Sequence, residues 1–286
     1  MDIGIGLPAH LPGVSGPALL DWARLAEELG FTSLATIDRL VYGNLDPLIA
    51  LAAVAPVTQK ARLTTAILIT PTRNTAVLAK QAASIDALSQ GRLVLGIGLG
   101  GRNDDYEAAG QSTKQRGRRM GEQIQEMHRI WAGEPRGFAG PIGPPPARSG
   151  GPELLIGGQN DLAVRRGAEL TDGRISGPSG ADRFKEASAV FLEAWRSAGR
   201  RGTPRQTSIY WYALGSEGRK QADDFLLDYY KIAGPRAEQN ARAAATDQET
   251  IRRHVAEYRA AGCDELIFIP CAAGIEQVEL LKQAVA

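Results

Sequence analysis

Eight short apolar runs alternate with longer amphipathic stretches along the 286-residue chain, and this alternation restricts the fold more than any other feature. The predicted strands are residues 3–7, 33–37, 63–70, 93–98, 153–156, 173–176, 207–214 and 265–269. The predicted helices are residues 18–29, 47–58, 75–89, 116–131, 161–170, 183–198, 219–230, 249–261 and 275–285. Strict strand–helix alternation is typical of a parallel sheet, and eight units in a chain of this length predict a closed (β/α)8 TIM barrel.

The chain length predicts one domain over residues 1–286, because this is an ordinary size for one such barrel. Residues 133–152 are rich in Pro and Gly and cannot form a helix, so we interpret them as an excursion between the fourth helix and the fifth strand. Residues 234–248 form a second extension with a helical composition.

Composition and charge argue against several classes of protein. The formal net charge is +1, from 33 Lys and Arg against 32 Asp and Glu, so the totals do not predict a nucleic-acid partner. No apolar segment is long enough to span a bilayer, and the first residues lack a basic lead and a cleavage site, so we expect a cytoplasmic protein without membrane association. Cys263 and Cys271 flank a predicted strand that would hold them too far apart for a disulfide.

The functional end of such a barrel is the mouth, where loops follow the C-terminal ends of the strands. Residues 91–110 place a glycine-rich strand before an acidic, polar loop at this mouth. The spacing Gly96-x-Gly98-x-Gly100-Gly101 matches only part of a dinucleotide fingerprint, because no helix opens directly on the glycines. We therefore predict that Gly98 and its neighbours shape a pocket wall, and that phosphate binds elsewhere.

Gly157, Gly158, Gln159 and Asn160 stand between the fifth strand and the helix that follows. Glycines at a helix N-terminus expose backbone N–H groups at the positive end of the helix dipole, which is an arrangement that accepts phosphate. A simple tight turn is the alternative. The two glycines, with no large side chain over them, favour the phosphate site.

Two titratable side chains follow strands at the mouth. Asp38 follows the second strand, where a carboxylate can accept a hydrogen bond from a ring N–H or hold a catalytic group; pairing with Arg39 fits the pattern equally well. His10 is a candidate for proton transfer, because it alone of the three histidines lies in a loop at the mouth. Pro8 and Pro12 are equally consistent with a mobile lid in which His10 only touches solvent.

An acidic cluster made of Asn103, Asp104, Asp105 and Glu107 has the oxygen ligands that a divalent metal prefers. We favour instead a solvated helix start in which Asn103 or Asp104 is the N-cap.

Further along the chain, Arg116, Arg118 and Arg119 begin a helix and are interpreted as a solvated face, with contact to an anionic group as the alternative. His128 and His254 lie on outer helices, where packing or solvation is favoured. No spacing of His and Cys predicts zinc, so we expect no metal.

Six stretches, in this order, carry a resemblance to a known family. They are GFTSLATIDRL (30–40), RLTTAILITPTRN (62–74), the run 91–110, LIGG (155–158), TDG (171–173) and AGCDEL (261–266). Together they resemble the bacterial luciferase-like superfamily of flavin- and deazaflavin-dependent oxidoreductases, over nearly the whole chain. The family fold is a (β/α)8 barrel, in agreement with the alternation.

The resemblance implies that FMN or coenzyme F420 lies with its tricyclic ring across the mouth. It implies that the ring stacks on a strand bulge near Ile67 and Leu68, where relatives often have a non-prolyl cis peptide. It implies that Thr70 hydrogen-bonds the ring edge, and that Asp38 lies beside the ring as in deazaflavin-using members. Gly157 and Gly158 match the family's phosphate turn, and Ser176 and Gly177 are further candidates for the ribityl or phosphate end.

Two positions depart from the family pattern. Arg39 stands where deazaflavin-using members commonly have His, and Leu99 stands where luciferase has a phosphate-binding Arg. No single named activity is therefore carried over to this chain.

We therefore expect an oxidoreductase or monooxygenase that binds reduced FMN or F420 at the mouth and transfers hydride or activated oxygen to a small organic substrate. The expected partners are a flavin or F420 reductase and a second copy of the chain in a homodimer. The alternatives are a non-catalytic flavin-binding barrel and a metal-assisted lyase that uses Asp104, Asp105 and Glu107.

Overall fold

Eight parallel strands close into one barrel in chain order in the computed structural model, which describes residues 1–158 and 160–286, with Ala233 and Arg236 described by their backbone alone. The strands are β1 (Asp2–Gly6), β2 (Ser33–Thr36), β3 (Arg62–Ile69), β4 (Leu93–Gly98), β5 (Glu153–Gly157), β6 (Gly173–Ser176), β7 (Arg205–Tyr212) and β8 (Glu265–Pro270). Each predicted strand is found within two residues of its expected ends. The predicted (β/α)8 TIM barrel is confirmed.

Helices surround the barrel and connect its strands. They are α1 (Gly16–Glu28), α2 (Pro47–Val54), α3 (Thr75–Leu88), α4 (Asn103–Ala108), α5 (Arg116–Trp131), α6 (Asp161–Leu170), α7 (Ala181–Ser197), α8 (Gly218–Tyr229), α9 (Arg236–Ala243), α10 (Gln248–Ala260) and α11 (Glu276–Val285). The short helix α4 begins where a helix start was favoured, at Asn103 and Asp104, but its extent was not predicted, because six residues are too few to show a helical period. Helix α9 lies within the extension of helical composition.

Side-chain caps start several of these helices where the sequence supplies Ser, Asp or Asn. The Asp46 carboxylate accepts from the N–H groups of Leu48 and Ile49 at the start of α2, and Asn160 accepts from the N–H of Ala163 in α6. Such caps satisfy N–H groups that have no partner within the helix. They place the loop ends of the mouth at defined positions.

The two ends of the barrel interior differ in character. At the N-terminal end of the strands, Glu265 pairs with both Arg62 and Arg205, so its buried charge is compensated. Nearer the mouth the interior is apolar, with Ile209, Ile269 and other buried side chains in one cluster. The barrel therefore presents an apolar floor to anything bound at the mouth.

The segment between α5 and β5 contains a short 3-10 turn at Gly137–Ala139 and a cis Gly143–Pro144 bond, with no longer helix or strand. Cys263 and Cys271 are both free and buried, as the sequence predicts. Among the helices described, none has the length and apolar character that crossing a membrane requires.

Candidate active site

A cleft of about 370 Å³ opens at the C-terminal ends of β3 to β7. It is lined by Ala66, Ile67, Gly98, Leu99, Gly100, Arg116, Gly157, Gly158, Asn160, Ala163, Ile175, Ser176, Gly177 and Ile209. This is the end of a TIM barrel where active sites are found. The lining is mainly apolar or glycine, and Arg116 is its only charged side chain among the residues described.

Most residues predicted for cofactor binding meet in this cleft. Those that line it are Ile67, Gly98, Gly157, Gly158, Asn160, Ser176 and Gly177. Those that do not are His10, Asp38, Leu68 and Thr70. Gln159 lies outside the described residues.

The β3 wall of the cleft carries an irregularity at the expected place. The pairing of β3 with β4 shifts register between Thr65 and Leu68, and the Ala66–Ile67 peptide is cis, one residue before the pair named in the sequence. Ile67 lines the cleft, whereas Leu68 points the other way and is buried in the core between the sheet and the helices. Of the two predicted shelf residues, only Ile67 faces the cleft.

A glycine opposite the bulge makes room for it. A methyl group on Gly98 would lie 2.6 Å from Cδ1 of Ile67, closer than real carbon atoms approach. The second glycine of the motif therefore leaves space for the Ile67 side chain, which agrees with a wall-shaping role for this strand.

The turn after β5 exposes backbone at the other side of the cleft. Gly158 has φ +122°, and a methyl group there would meet the Ala163 side chain at 2.9 Å. Asn160 caps α6, whose N-terminus therefore points its N–H groups toward the turn. The exposed Asp161 lines a separate outer groove of about 570 Å³ between α6 and α7. The cleft side of the turn thus carries no carboxylate among the residues described.

Arg116 lines the cleft, in agreement with the alternative of contact with an anionic group, although the sequence favoured a solvated face for it. Its guanidinium lies 5.4 Å from the ring centre of Tyr106, and its Nη1 is buried without a hydrogen-bond partner among the residues described. Arg118 bonds to Gln115 and Glu122, which fits the predicted solvated face. Arg119 donates to the carbonyl of Ser112, but its Nε is buried without a partner among the residues described. A buried, unpaired guanidinium nitrogen is costly, which makes Arg116 a natural contact for an anion.

Asp38 is buried and bonded away from the cleft. One carboxylate oxygen accepts from the backbone N–H of Ile69 at 2.9 Å, and the other accepts from Arg73 at 3.0 Å. Arg73 also donates a hydrogen bond to the carboxylate of Asp46, which caps α2. Burial raises the pKa of Asp38, and the adjacent Arg73 opposes that rise. The partner of Asp38 is thus Arg73, not Arg39, and the carboxylate holds the end of β3 in place.

His10 is also buried, at 1% exposure, and does not form part of a solvent-facing lid. Its Nε2 lies 2.7 Å from the carbonyl of Pro270 and its Nδ1 lies 3.1 Å from that of Leu7. The ring packs edge-on against Trp211 and Phe225. Both ring nitrogens face carbonyl oxygens, so His10 bridges the ends of β1 and β8 while its role in proton transfer stays a prediction.

Burial gives His10 a pH-dependent effect on stability. It lowers the pKa to about 4 from 6.5, with the hydrogen bonds to Pro270 and Leu7 opposing that change. Between pH 6.5 and pH 4, His10 is therefore protonated in the unfolded chain and neutral in the folded chain. The stability that neutral His10 contributes is lost as pH falls from 6.5 toward 4. Between pH 7 and pH 4, the free energy of unfolding measured in urea should fall by about 3 kcal/mol more for wild type than for His10→Gln. Parallel pH profiles for the two proteins would contradict this.

A helix starts in the acidic cluster at the rim, as favoured, but the expected cap and the solvated character are wrong. The N-cap of α4 is Arg102, so neither Asn103 nor Asp104 caps the helix. The Asp104 and Asp105 carboxylates instead hold the guanidinium of Arg39, at 2.7 and 3.2 Å. In the described part of the chain, no group of three or more His, Cys, Asp or Glu side chains is placed to hold a metal ion. The metal-assisted alternative therefore gains no support from this cluster.

Solved structures with the same fold include enzymes that carry either cofactor. An F420-dependent secondary alcohol dehydrogenase, solved with an F420-acetone adduct, superposes with a TM-score of 0.80 at 18% identity, over 100% of this chain and 99% of that one. The oxygenating constituent of 3,6-diketocamphane monooxygenase from Pseudomonas putida, solved with FMN, gives a TM-score of 0.72 at 20% identity, over 100% and 98% of the two chains. At these identities the likeness shows the fold.

Sequence comparison extends the relationship. An uncharacterised protein of Mycobacterium tuberculosis is 28% identical over 174 residues, which is 58% of this chain and 61% of that protein. The match thus spans about three fifths of the relative's length. The model of the luciferase-like monooxygenase family matches residues 1–277. Because this match covers nearly the whole chain, the chain belongs to the luciferase-like monooxygenase family.

Proposed function

We propose that this protein is an oxidoreductase that binds a reduced flavin or deazaflavin, FMN or F420, in the cleft at the barrel mouth and acts on a small organic substrate. The observation that carries the proposal is the buried Nη1 of Arg116, which has no hydrogen-bond partner in the described part of the chain and lines the same cleft as the Gly157-Gly158 turn. These groups suit a phosphate, and the glycine-lined wall leaves room for a flat ring.

When bound, such a cofactor supplies the hydride or the reducing equivalents for oxygen. The protein's own residues do the rest. Ile67 supports the ring from the β3 side, and the N–H groups after Gly157 together with Arg116 bind the phosphate. Leu99, Ile175 and Ile209 exclude water from the apolar part of the cleft.

Asp38 and Thr70 belong to the support behind the cleft. Asp38 accepts from the N–H of Ile69, and Gln123 of α5 donates to the carbonyls of Thr70 and Arg73. We propose that these bonds keep the end of β3 in the shape that the ring needs. Direct catalytic roles for Asp38 and His10 remain part of the proposal, to be tested by turnover of the Asp38→Asn and His10→Gln variants.

The substrate that fits this setting is small and largely apolar, because the described lining of the cleft is mainly apolar side chains and glycine. We also propose that a flavin or F420 reductase supplies reduced cofactor, and that the chain forms a homodimer. The family relationship supports these proposals.

Titration of the purified protein with FMN and with F420, followed by quenching of tryptophan fluorescence, tests the proposal. We expect micromolar or tighter binding of at least one of them. Arg116→Gln should weaken that binding about 10-fold to 100-fold, because a charge-assisted hydrogen bond contributes about 1.5–3 kcal/mol. Arg118→Gln is the matched control, since Arg118 is already paired on the helix surface, and it should change the affinity less than twofold.

Binding of neither cofactor at micromolar concentration would reject the proposal. Equal effects of the Arg116 and Arg118 variants would reject the phosphate contact while leaving the cofactor class intact. A protein that binds reduced cofactor but never oxidises it, with any of a panel of small ketones, aldehydes and oxygen, would favour the non-catalytic alternative.

A further inference from the structure

We propose that Tyr229, at the end of α8, is a gate at the barrel mouth that Arg39 and Arg102 hold closed and that opens to admit the organic substrate. This inference rests on the proposed function, because it concerns access to the same site. It assigns a role to a part of the mouth that lies outside the described lining of the cofactor cleft.

A substrate beside a bound cofactor needs room that the cleft does not provide. The cleft measures about 370 Å³, near the lower end of the volumes that hold one ligand. Its described lining comes from β3 to β7 and from the segments that follow these strands. A cofactor bound there fills the cleft, so the substrate has to approach from the side of the mouth above β8, β1 and β2.

That side of the mouth carries an aromatic wall that borders the cleft. Ile209 of β7 lines the cleft. Trp211 stands two residues further toward the mouth on the same strand, so its side chain faces the same way, and both residues belong to one interior cluster. Trp211 is 2% exposed, and its ring centre lies 6.0 Å from that of Tyr229 and 5.9 Å from that of His10. The Tyr229 ring thus packs on the wall beside the cleft.

Two guanidinium groups face the Tyr229 ring. Cζ of Arg39 lies 5.7 Å from the ring centre and Cζ of Arg102 lies 4.4 Å from it, within the range of a cation–π contact. Nη2 of Arg102 also donates to the Tyr229 carbonyl at 2.9 Å. Arg39 follows β2 and Arg102 precedes α4, so these contacts join three separate segments at the mouth. We call Arg39, Arg102 and Tyr229 the mouth clasp.

The mouth clasp has the chemistry of a contact that opens and closes in water. Guanidinium groups and a tyrosine hydroxyl are hydrated when they separate, whereas an apolar cover would expose hydrocarbon. Arg39 is fixed by ion pairs to Asp104 and Asp105. Among the residues described, Arg102 has no ion pair, and its Nε is buried without a hydrogen-bond partner. The contact between Arg102 and Tyr229 is therefore the one that can be released while the loop after β2 stays in place.

The chain around Tyr229 is suited to such a movement. Helix α8 ends at Tyr229 and is followed by a short 3-10 turn at Lys231–Ala233 and by Gly234, with φ 59°. The end of a helix opens at a lower free energy than its centre. Tyr229 can therefore leave Trp211 without unfolding the rest of α8.

Quenching of tryptophan fluorescence by acrylamide tests the gate in the full chain without cofactor. Acrylamide is the probe because it is a small neutral molecule. The chain has four tryptophans, all of them buried, so quenching of wild type should be weak. The contribution of Trp211 is the difference between each protein and the same protein carrying Trp211→Phe.

We expect Arg102→Gln to raise the quenching constant of Trp211 about threefold to tenfold, because a cation–π contact and a charge-assisted hydrogen bond are both lost. Tyr229→Ala should give the largest quenching constant, since it removes the ring that covers Trp211. Tyr229→Phe keeps a ring for the guanidinium groups and should be quenched as weakly as wild type.

Arg200→Gln is the matched control for the loss of an arginine–aromatic contact. Cζ of Arg200 lies 4.1 Å from the ring centre of Trp195, after the end of α7 and outside the mouth clasp. This variant should leave the quenching of Trp211 unchanged. Arg102→Gln should also change the affinity for FMN and for F420 less than twofold, because Arg102 is not part of the described lining of the cleft.

Two results would overturn the gate and leave the proposed function standing. One is equal quenching of Trp211 in wild type and Arg102→Gln. The other is a rise in quenching that persists in the Trp211→Phe background, since this would show that the whole fold has loosened. Binding of neither FMN nor F420 to wild type would instead reject the proposed function itself.

Discussion

Replacing Gly96 with alanine is expected to lower the free energy of unfolding by about 3 kcal/mol or more, whereas Gly98→Ala should cost about 1 kcal/mol. A methyl group on Gly96 would lie 2.0 Å from the carbonyl oxygen of Thr65 and 3.2 Å from its carbonyl carbon. Both atoms are backbone of β3, which is held in register with β4 and by the bond from the Thr65 hydroxyl to the Gly96 carbonyl. At Gly98 the obstacle is the flexible end of Ile67 instead.

Gly101→Ala is the matched control from the same motif, because a methyl group there meets nothing within 4 Å. We expect its free energy of unfolding to stay within about 0.5 kcal/mol of the wild-type value. Urea unfolding followed by tryptophan fluorescence measures all three variants. A Gly96→Ala protein as stable as Gly101→Ala would show that β3 moves away at little cost, and that the glycine is not required by the close approach of the strands.

Gly98→Ala separates folding from function. The side chain that must shift is Ile67, which lines the cleft, so cofactor affinity should fall even though the barrel stays folded. The two inner glycines of this motif thus have different tasks: the first lets two strands come together, and the second leaves space in the proposed site.

Much of this fold could be predicted from the sequence because its signals are local. Each strand is a short apolar run, and caps such as Asp46 and Asn160 stand next to the helices that they start. The place of the Gly157-Gly158 turn could be predicted for the same reason, since it depends only on the strand before it and the helix after it, while its role in binding phosphate stays a prediction.

The polar contacts of the mouth depend on how distant loops meet, and the sequence does not show that. Asp38 pairs with Arg73, thirty-five positions away, although Arg39 is its neighbour. Arg39 reaches Asp105, sixty-six positions away. In both cases two loops that follow adjacent or nearby strands meet at the mouth, and several acids and bases of equal chemical suitability were available.

For a related reason, the sequence did not distinguish Arg116 from the other arginines at the start of α5. Three arginines begin α5, and their spacing in the sequence does not say which one faces inward. The residue before the helix, Gln115, has a left-handed backbone with φ 54°, and the Arg166 side chain of α6 lies against Gly117 and Gly121 of α5. Glycines at 117 and 121, on one side of a helix, are the one sequence signal that would have indicated a close neighbour there.

The second large effect is expected at the rim, where Asp105→Ala should lower the free energy of unfolding by about 3–5 kcal/mol. Asp105 is fully buried, and one of its oxygens accepts from Arg39 Nε and from the backbone N–H groups of Leu40 and Val41, at 2.9 to 3.2 Å. Removing the Asp105 carboxylate takes one of its negatively charged partners from the buried Arg39 guanidinium. It also removes the acceptor of the Leu40 and Val41 N–H groups. Of these contacts between the loop after β2 and α4, only the one from Arg39 to Asp104 would then remain.

Asp104→Ala is the control, because Asp104 contacts the same guanidinium but its side chain is 32% exposed. Solvent screening limits the expected loss to about 1 kcal/mol or less. The loss in free energy of unfolding for Asp105→Asn should lie between those of Asp104→Ala and Asp105→Ala. The amide oxygen still accepts from the backbone N–H groups, but the negative charge is gone. Equal losses for Asp104→Ala and Asp105→Ala would mean that the ion pair with Arg39 matters and that the anchoring of Leu40 and Val41 does not, which would contradict the role assigned to Asp105.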